Sequence, residues 1–231
     1  MYPVVYQGEN DGRLIRHVVP RVGLETQISF YGSSLDFYPH VDNPDLRLRG
    51  EDGFRSPVPD TLSLLCLRQQ DNVATSILKL DDILDDLSEE DIKLLEEAEF
   101  TVNRPASFDK QESIDKLPLL RKGNDGLYVS RFDYHNVSAG NPKYNSVLEK
   151  FKRVSLDPKK WVSLHLKPGQ VVTFDNQRTM HTRNGFKPRN GFKPKFDGND
   201  RWLLRVFGLF EKCLDEYFLD ASCKHHLHTK I

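Results

Sequence analysis

Short blocks in which apolar and polar residues alternate, or run apolar for a few positions, outnumber stretches with helical spacing along this chain. Residues 61–68 (Thr-Leu-Ser-Leu-Leu-Cys-Leu-Arg) make the strongest block and predict a buried strand. Residues 72–80 predict another, with Gln69-Gln70-Asp71 between them as a hairpin-like connection. Strands are also expected over 127–134, 161–166, 171–175 and 201–210, and Lys167-Pro168-Gly169-Gln170 places turn residues between the middle two. Upstream, Val4-Val5, Leu14-Ile15 and Val18-Val19 are interrupted by Gly and Pro, so 1–31 holds one or two short strands, and 27–42 reads as one more. Helical spacing is confined to two places. Ser88-Glu89-Glu90-Asp91 is a helix-start signal, with Ile92, Leu94, Leu95 and Ala98 as the apolar stripe of a helical stretch over 81–100, and 144–151 is a second, short helix.

Between these blocks lie segments of turn chemistry. Residues 43–59 are rich in Pro, Gly and charge and predict a loop long enough to cover a site; residues 101–125 read as a linker or lid. Arg183-Asn184-Gly185-Phe186-Lys187-Pro188 is followed at once by an identical copy, so 183–194 reads as a duplicated surface loop, too short for a solenoid unit. The tail, 220–231, carries His225, His226 and His228 and is expected to be solvated. The whole of 1–231 is expected to form one domain, with a β-rich α+β fold.

Composition narrows the classes of function. With 231 residues, 38% hydrophobic and 29% charged, the chain is long enough for one real core and reads as soluble and globular. Lys plus Arg number 33 and Asp plus Glu 34, a balance that gives no electrostatic reason to expect nucleic acid or an anionic membrane as partner. No apolar run approaches a membrane span, and the first residues lack a leader's basic and apolar regions. An odd set of three cysteines, Cys66, Cys213 and Cys223, then points to free thiols in a reducing cytoplasm, with Cys66 in the core.

The candidate chemistry sits at His40-Val41-Asp42. Two residues apart on an extended strand, an imidazole and a carboxylate point to one face and can touch one metal ion. A second histidine would complete two nitrogens and one carboxylate on one side of the metal, the set that suits non-haem Fe(II) in oxygen-using enzymes. By itself His-x-Asp is a short motif that many chains contain by chance. Ligands of this kind come from facing strands of a small barrel or double sheet, and a jelly roll offers such a mouth. His17 and His165 each lack a carboxylate at ligand spacing, and no phosphate loop, Cys-x-x-Cys pair or nucleophile elbow is present.

Four blocks carry a family resemblance: Gly32-Ser33 through His40-Val41-Asp42; Asp60 through Leu67-Arg68 to Val73-Ala74-Thr75; Pro168-Gly169 through Asp175-Asn176 to Arg178 and His181; and Phe196-Asp197-Gly198-Asn199-Asp200-Arg201-Trp202-Leu203-Leu204-Arg205. In these the chain resembles the clavaminate-synthase-like branch of the Fe(II)/2-oxoglutarate dioxygenases, which holds asparagine, arginine and lysine hydroxylases and is related to taurine dioxygenase. The resemblance implies a double-stranded β-helix (jelly-roll) core with flanking helices. It implies His40, Asp42 and His181 as iron ligands, with 2-oxoglutarate as cosubstrate and O2 as oxidant. Arg201 matches the cosubstrate arginine and Thr75 its hydroxyl partner, with Ser76 as the fallback and Arg205 as a further candidate for the same pocket. The implied activity is hydroxylation of a free amino acid, a basic one if Asp133 faces the substrate, with release of succinate and CO2; Asp133 as a purely structural partner of Arg131 or a loop amide is the alternative.

Three features depart from that family. The interval from His181 to Arg201 is longer by one copy of the hexapeptide, which inserts a loop beside the cosubstrate pocket. Residues 43–51 look like an insertion, and a second register would put Glu51 at the carboxylate position but Arg49, which cannot ligate iron, at the histidine position. Relatives carry a longer stretch ahead of the motif, so the chain is expected to lack the N-terminal part of the usual domain. That departure and the duplicated loop motivate an alternative, a truncated non-catalytic β-domain that binds a ligand or partner. Asp42 fills the place that halogenating relatives leave open for chloride and so favours hydroxylation.

Overall fold

The computed structural model describes residues 1–21, 23–24, 26, 34–187, 197–220 and 222–230. In chain order the strands are β1 (Tyr2–Tyr6), β2 (Arg16–Val18), β3 (Phe37–His40), β4 (Thr61–Arg68), β5 (Thr75–Lys79), β6 (Phe100–Asn103), β7 (Ser113–Leu117), β8 (Leu120–Lys122), β9 (Tyr128–Ser130), β10 (Val137–Ser138), β11 (Val162–Leu164), β12 (Val171–Asp175), β13 (Thr179–Arg183), β14 (Trp202–Leu209) and β15 (His226–Leu227). The helices are α1 (Leu80–Leu84), α2 (Glu89–Leu95) and α3 (Pro142–Ser155). Two sheets form the body. The larger runs β12-β4-β14-β1-β15, with β2 also paired to β14, and the smaller runs β11-β5-β13-β3.

Period-two alternation puts one face of each sheet against the other. Leu62, Leu64 and Cys66 of β4 and Leu203 and Phe207 of β14 form a core that Ile77 of β5 and Leu164 of β11 join from the smaller sheet. The other face of the smaller sheet is covered by helices: Leu78 and Met180 pack with Leu80 and Ile83 of α1, Leu95 of α2, and Leu148 and Phe151 of α3. α2 begins as its sequence predicts, with Ser88 and Asp91 closing a capping box. α3 is longer than expected because Asn141 caps it and Pro142 takes the first turn, where no backbone donor is needed.

The expected hairpin between 61–68 and 72–80 is not formed. β4 pairs with β12 and β14, whereas β5 pairs with β11 and β13. The chain therefore crosses from the larger sheet to the smaller one at 69–74, and crosses back between β11 and β12. Gly169, with φ of +86° after Pro168, makes that second corner tight. Such corners wind the strands into a double-stranded β-helix with flanking helices, a β-rich fold.

Three segments expected to be loops are more ordered than their composition suggested. In 43–59, Leu46, Leu48 and Val58 are fully or almost fully buried. Arg131 fixes this segment, donating to the carbonyls of Pro44 and Leu46 at 2.8 and 2.9 Å and pairing with Glu51. The region 101–125 holds β7, β8 and most of β6, and is not a free lid. The tail is docked rather than wholly solvated: β15 adds to β1 in parallel, Leu227 is fully buried, and His225, His226 and His228 are half-buried, while Lys224 and Lys230 are exposed. The first part of the 27–42 strand and the second copy of the repeat lie outside the described residues; the strand is seen at Phe37–His40.

Candidate metal and cosubstrate site

β13 lies between β3 and β5, and its register places His181 directly opposite His40. β3 ends at His40, and the bend that follows brings Asp42 to the same mouth. The three side chains offer ligand atoms that all lie within 4.8 Å of one another, the one such group of three or more among the described residues. The imidazole rings of His40 and His181 are 4.0 Å apart, and His181 Nε2 is 3.9 Å from Asp42 Oδ2.

The surroundings prepare these atoms. His40 Nδ1 lies 2.8 Å from the Tyr38 carbonyl, so that nitrogen carries the proton and donates it, and Nε2 keeps its lone pair. His40 Nε2 is buried and has no hydrogen-bond partner, an unfavourable state unless something binds there. Burial, with His40 and the Arg205 guanidinium nearby, holds the His181 imidazole well below the ordinary histidine range, so it stays neutral and able to ligate. Asn176, fully buried, clamps the backbone of the acidic ligand candidate: its Oδ1 accepts from Asp42 N at 2.9 Å and its Nδ2 donates to Asp42 O at 3.1 Å. Two imidazole nitrogens and one carboxylate are a donor set that fits Fe(II).

Arg201, at the entrance to β14, is 3% exposed. Its Nη2 donates to Thr75 Oγ1 at 2.9 Å and its Nε to Gln69 Oε1 at 3.2 Å, both neutral partners. Burial and the neighbouring Arg183 push this guanidinium down to about 9. A guanidinium keeps its proton at neutral pH, so this one holds its positive charge buried, among neutral partners and beside a second guanidinium. A carboxylate entering here would supply the missing charge.

Thr75, Arg183, Arg201 and Arg205 line one pocket with the triad, together with apolar Leu62, Leu64 and Leu203. Ser76 does not: strand alternation turns it to the other face, where its hydroxyl meets Ser163 Oγ at 3.1 Å, so Thr75 is the hydroxyl in position. Arg205 reaches Asp42 Oδ2 at 3.5 Å and pairs with Glu9, so it borders the metal side more than the Arg201 end. Asp133 is on the pocket wall, but its carboxylate is largely committed to its own turn. Oδ1 accepts from the backbone of His135 and Asn136 at 2.9 and 3.1 Å, and Oδ2 from Asn136 Nδ2 at 2.8 Å. Asp133 is no partner of Arg131, which is engaged by Glu51.

The second register is ruled out by contacts. Arg49 turns away to Asp60 and Asp175, at 3.0 Å each, and Glu51 is held by Arg131. Sequence reasoning overlooked Arg183, Asn176 and Glu9 as members of the site. Arg183 carries a readable signal, since it stands two positions after His181 on the same strand and so faces the same way. Asn176 stands in the quoted Asp175-Asn176 block, but its hold on the Asp42 backbone was not readable there, and Glu9 carries no signal, because each acts across a tertiary contact.

A double-stranded β-helix with two histidines and a carboxylate meeting in its mouth defines a class of fold, that of the jelly-roll oxygenases. Within that class, residues 20–207 match the taurine catabolism dioxygenase TauD, TfdA family, and the chain belongs to this family. It is 28% identical over 229 residues to enduracididine beta-hydroxylase of Streptomyces hygroscopicus, covering 88% of this chain and 62% of that one. It is 28% identical over 215 residues to L-asparagine oxygenase of Streptomyces coelicolor, covering 90% of this chain and 57% of that one. The chain thus spans less than two thirds of the length of these curated relatives. Among solved structures, asparagine oxygenase in complex with Fe(II), 2S,3S-3-hydroxyasparagine and succinate superposes with a TM-score of 0.82 at 25% identity, over 98% of this chain and 66% of that one. Among the described residues no helix is long and apolar enough to cross a membrane.

Proposed function

We propose that this chain forms the iron- and cosubstrate-holding core of an Fe(II)- and 2-oxoglutarate-dependent hydroxylase of a free amino acid. The observation that carries the reading is the convergence of His40, Asp42 and His181 in one pocket with the buried, under-compensated Arg201. His40 and His181 would each give a nitrogen and Asp42 an oxygen to the metal. Arg201, seated by Thr75 and Gln69, would take the distal carboxylate of the cosubstrate through a planar, permanently charged fork. When bound, Fe(II) and 2-oxoglutarate supply the activation of O2 needed to hydroxylate an unactivated carbon, the cosubstrate leaving as succinate and CO2. The chain's own residues supply placement. The apolar floor of Leu62, Leu64 and Leu203 keeps water sparse around these charges, which strengthens each electrostatic contact.

The relatives' printed names, an enduracididine hydroxylase and an asparagine oxygenase, support a free amino acid as the substrate class. Within it, a basic side chain is favoured by Asp133, a carboxylate on the pocket wall whose Oδ2 accepts from Asn136 Nδ2 and retains acceptor capacity. The test is anaerobic addition of Fe(II) and 2-oxoglutarate, which should produce a weak visible charge-transfer band that His181→Ala abolishes. No band in folded protein, or a band that survives the substitution, would overturn the reading. Succinate release across a panel of amino acids then reports turnover and whether lysine- or arginine-like substrates lead; binding without succinate would leave a non-catalytic domain.

A further inference from the structure

Arg16 and Arg205 stand directly opposite each other where β2 pairs with β14. Both are buried, so two like charges face one another with little water between them, an unfavourable arrangement by itself. Glu9, 0% exposed, lies between them. Its Oε1 accepts from Arg16 Nη1 at 2.8 Å and also from Arg205 Nη2. Its Oε2 accepts from Asn43 Nδ2 at 3.4 Å, and Asn43, next to Asp42, holds a left-handed φ of 57°. The other arm of Arg205 points at Asp42, with Nη1 3.5 Å from Oδ2. One guanidinium is therefore shared unequally between two carboxylates: closely with Glu9 and loosely with Asp42.

We propose that Glu9 is a positioning residue for the metal centre, which holds Arg205 back from a full ion pair with Asp42 and so keeps that carboxylate available to the ion. The inference rests on the ligand role proposed above for Asp42. A charge-assisted pair between guanidinium and carboxylate closes to about 2.7–2.9 Å, and the Arg205–Asp42 separation is longer than that. With Glu9 neutralised, the guanidinium loses the carboxylate it holds most closely, while Asp42 stands 3.5 Å from its other arm. It would close onto Asp42 and compete with the metal for the same oxygen. Glu9 also ties Asn43, so the backbone just after Asp42 is fixed by the same carboxylate.

The test is Mn(II) binding to the full chain without cosubstrate, read by electron paramagnetic resonance of the free ion, in wild type, Glu9→Gln, Arg205→Gln and the double variant, with His181→Ala as the reference for a lost site. Glu9→Gln is expected to weaken Mn(II) about tenfold, in the range for groups that orient a ligand. The double variant should recover most of that loss, because the competing cation is gone. A merely structural Glu9 predicts the opposite for the pair, with the double variant no better than Glu9→Gln; that result, or wild-type affinity in Glu9→Gln, overturns the proposal. Should Glu9→Gln fail to fold, Arg205→Gln decides alone: binding as tight as wild type or tighter supports the competition, and weaker binding refutes it. If wild type and His181→Ala bind Mn(II) equally, the ligand assignment itself fails, and this inference falls with it.

Discussion

On one wall of the pocket, nearly every polar side chain stands on or beside a paired strand: His40 on β3, Thr75 on β5, His181 and Arg183 on β13, Arg205 on β14, with Asp42 and Arg201 at strand ends. On the other wall, Asp133, Asn136 and Pro105-Ala106-Ser107 come from turns between short strands. Ladder hydrogen bonds fix the first wall, and a slip by one residue would turn every one of its side chains out of the pocket. The second wall is fixed mainly by local bonds, as in the turn that Asp133 closes on His135 and Asn136. Under the proposed function, the sheets would hold the metal and cosubstrate, and the turn wall could change with the substrate without disturbing them.

This contrast can be broken most sharply on the strand wall. His181→Ala or Asp42→Ala should abolish metal binding, a loss of about 100-fold or more, while Asn136→Ala, on the turn wall, should leave it intact; a metal titration of all three separates the walls. Arg201→Ala comes next. Losing a charged hydrogen-bond partner is worth about 1.5–3 kcal/mol, so 2-oxoglutarate affinity should fall about 10- to 100-fold with metal affinity unchanged, and Lys at this position should restore only part. Calorimetric titration with 2-oxoglutarate measures both.

Arg183→Ala should cost less, about tenfold in cosubstrate affinity, since its guanidinium lines the same pocket but also donates to the Asn184 carbonyl at 2.8 Å and stacks over Phe186. A larger effect on metal than on cosubstrate would remove Arg183 from the anion end. Asp133→Asn should lower stability by about 1 kcal/mol, because an amide offers its turn a weaker acceptor, and should shift amino-acid KM while metal binding holds. Thermal melts and KM measured side by side check this. Smallest of all should be deletion of 189–194, the second hexapeptide, which restores the family interval. Loop length costs little, so cosubstrate affinity should stay within about twofold; a large gain would show that the duplication burdens the pocket.

Legibility along the chain followed the type of interaction. The strand at 61–68 was readable because a buried strand writes its own pattern, and the cap at Ser88 because it is settled within four residues. The pairing partners of 61–68 were not readable. An apolar run with a polar tripeptide after it looks the same whether the chain folds back on itself or crosses to another sheet, and here it crosses. The 43–59 segment misled for a related reason: its Pro, Gly and charged residues describe a chain without regular structure, yet Arg131, far along the sequence, satisfies its carbonyls and buries it.

The residues alone therefore determined one part of the reactive inventory, an imidazole and a carboxylate spaced for one strand face; the distant histidine and the arginine with its hydroxyl partner came from the resemblance to a family. The first is a property of side-chain chemistry and of a period-two backbone, both present in any short stretch. Only the tertiary structure decided that His40 lies opposite His181, that Thr75 rather than Ser76 meets Arg201, and that Glu9, Arg16 and Arg205 form a buried charge network behind Asp42. Each of these depends on strand register or on the burial of charge between segments far apart in the chain. Neither quantity exists until the sheets have closed.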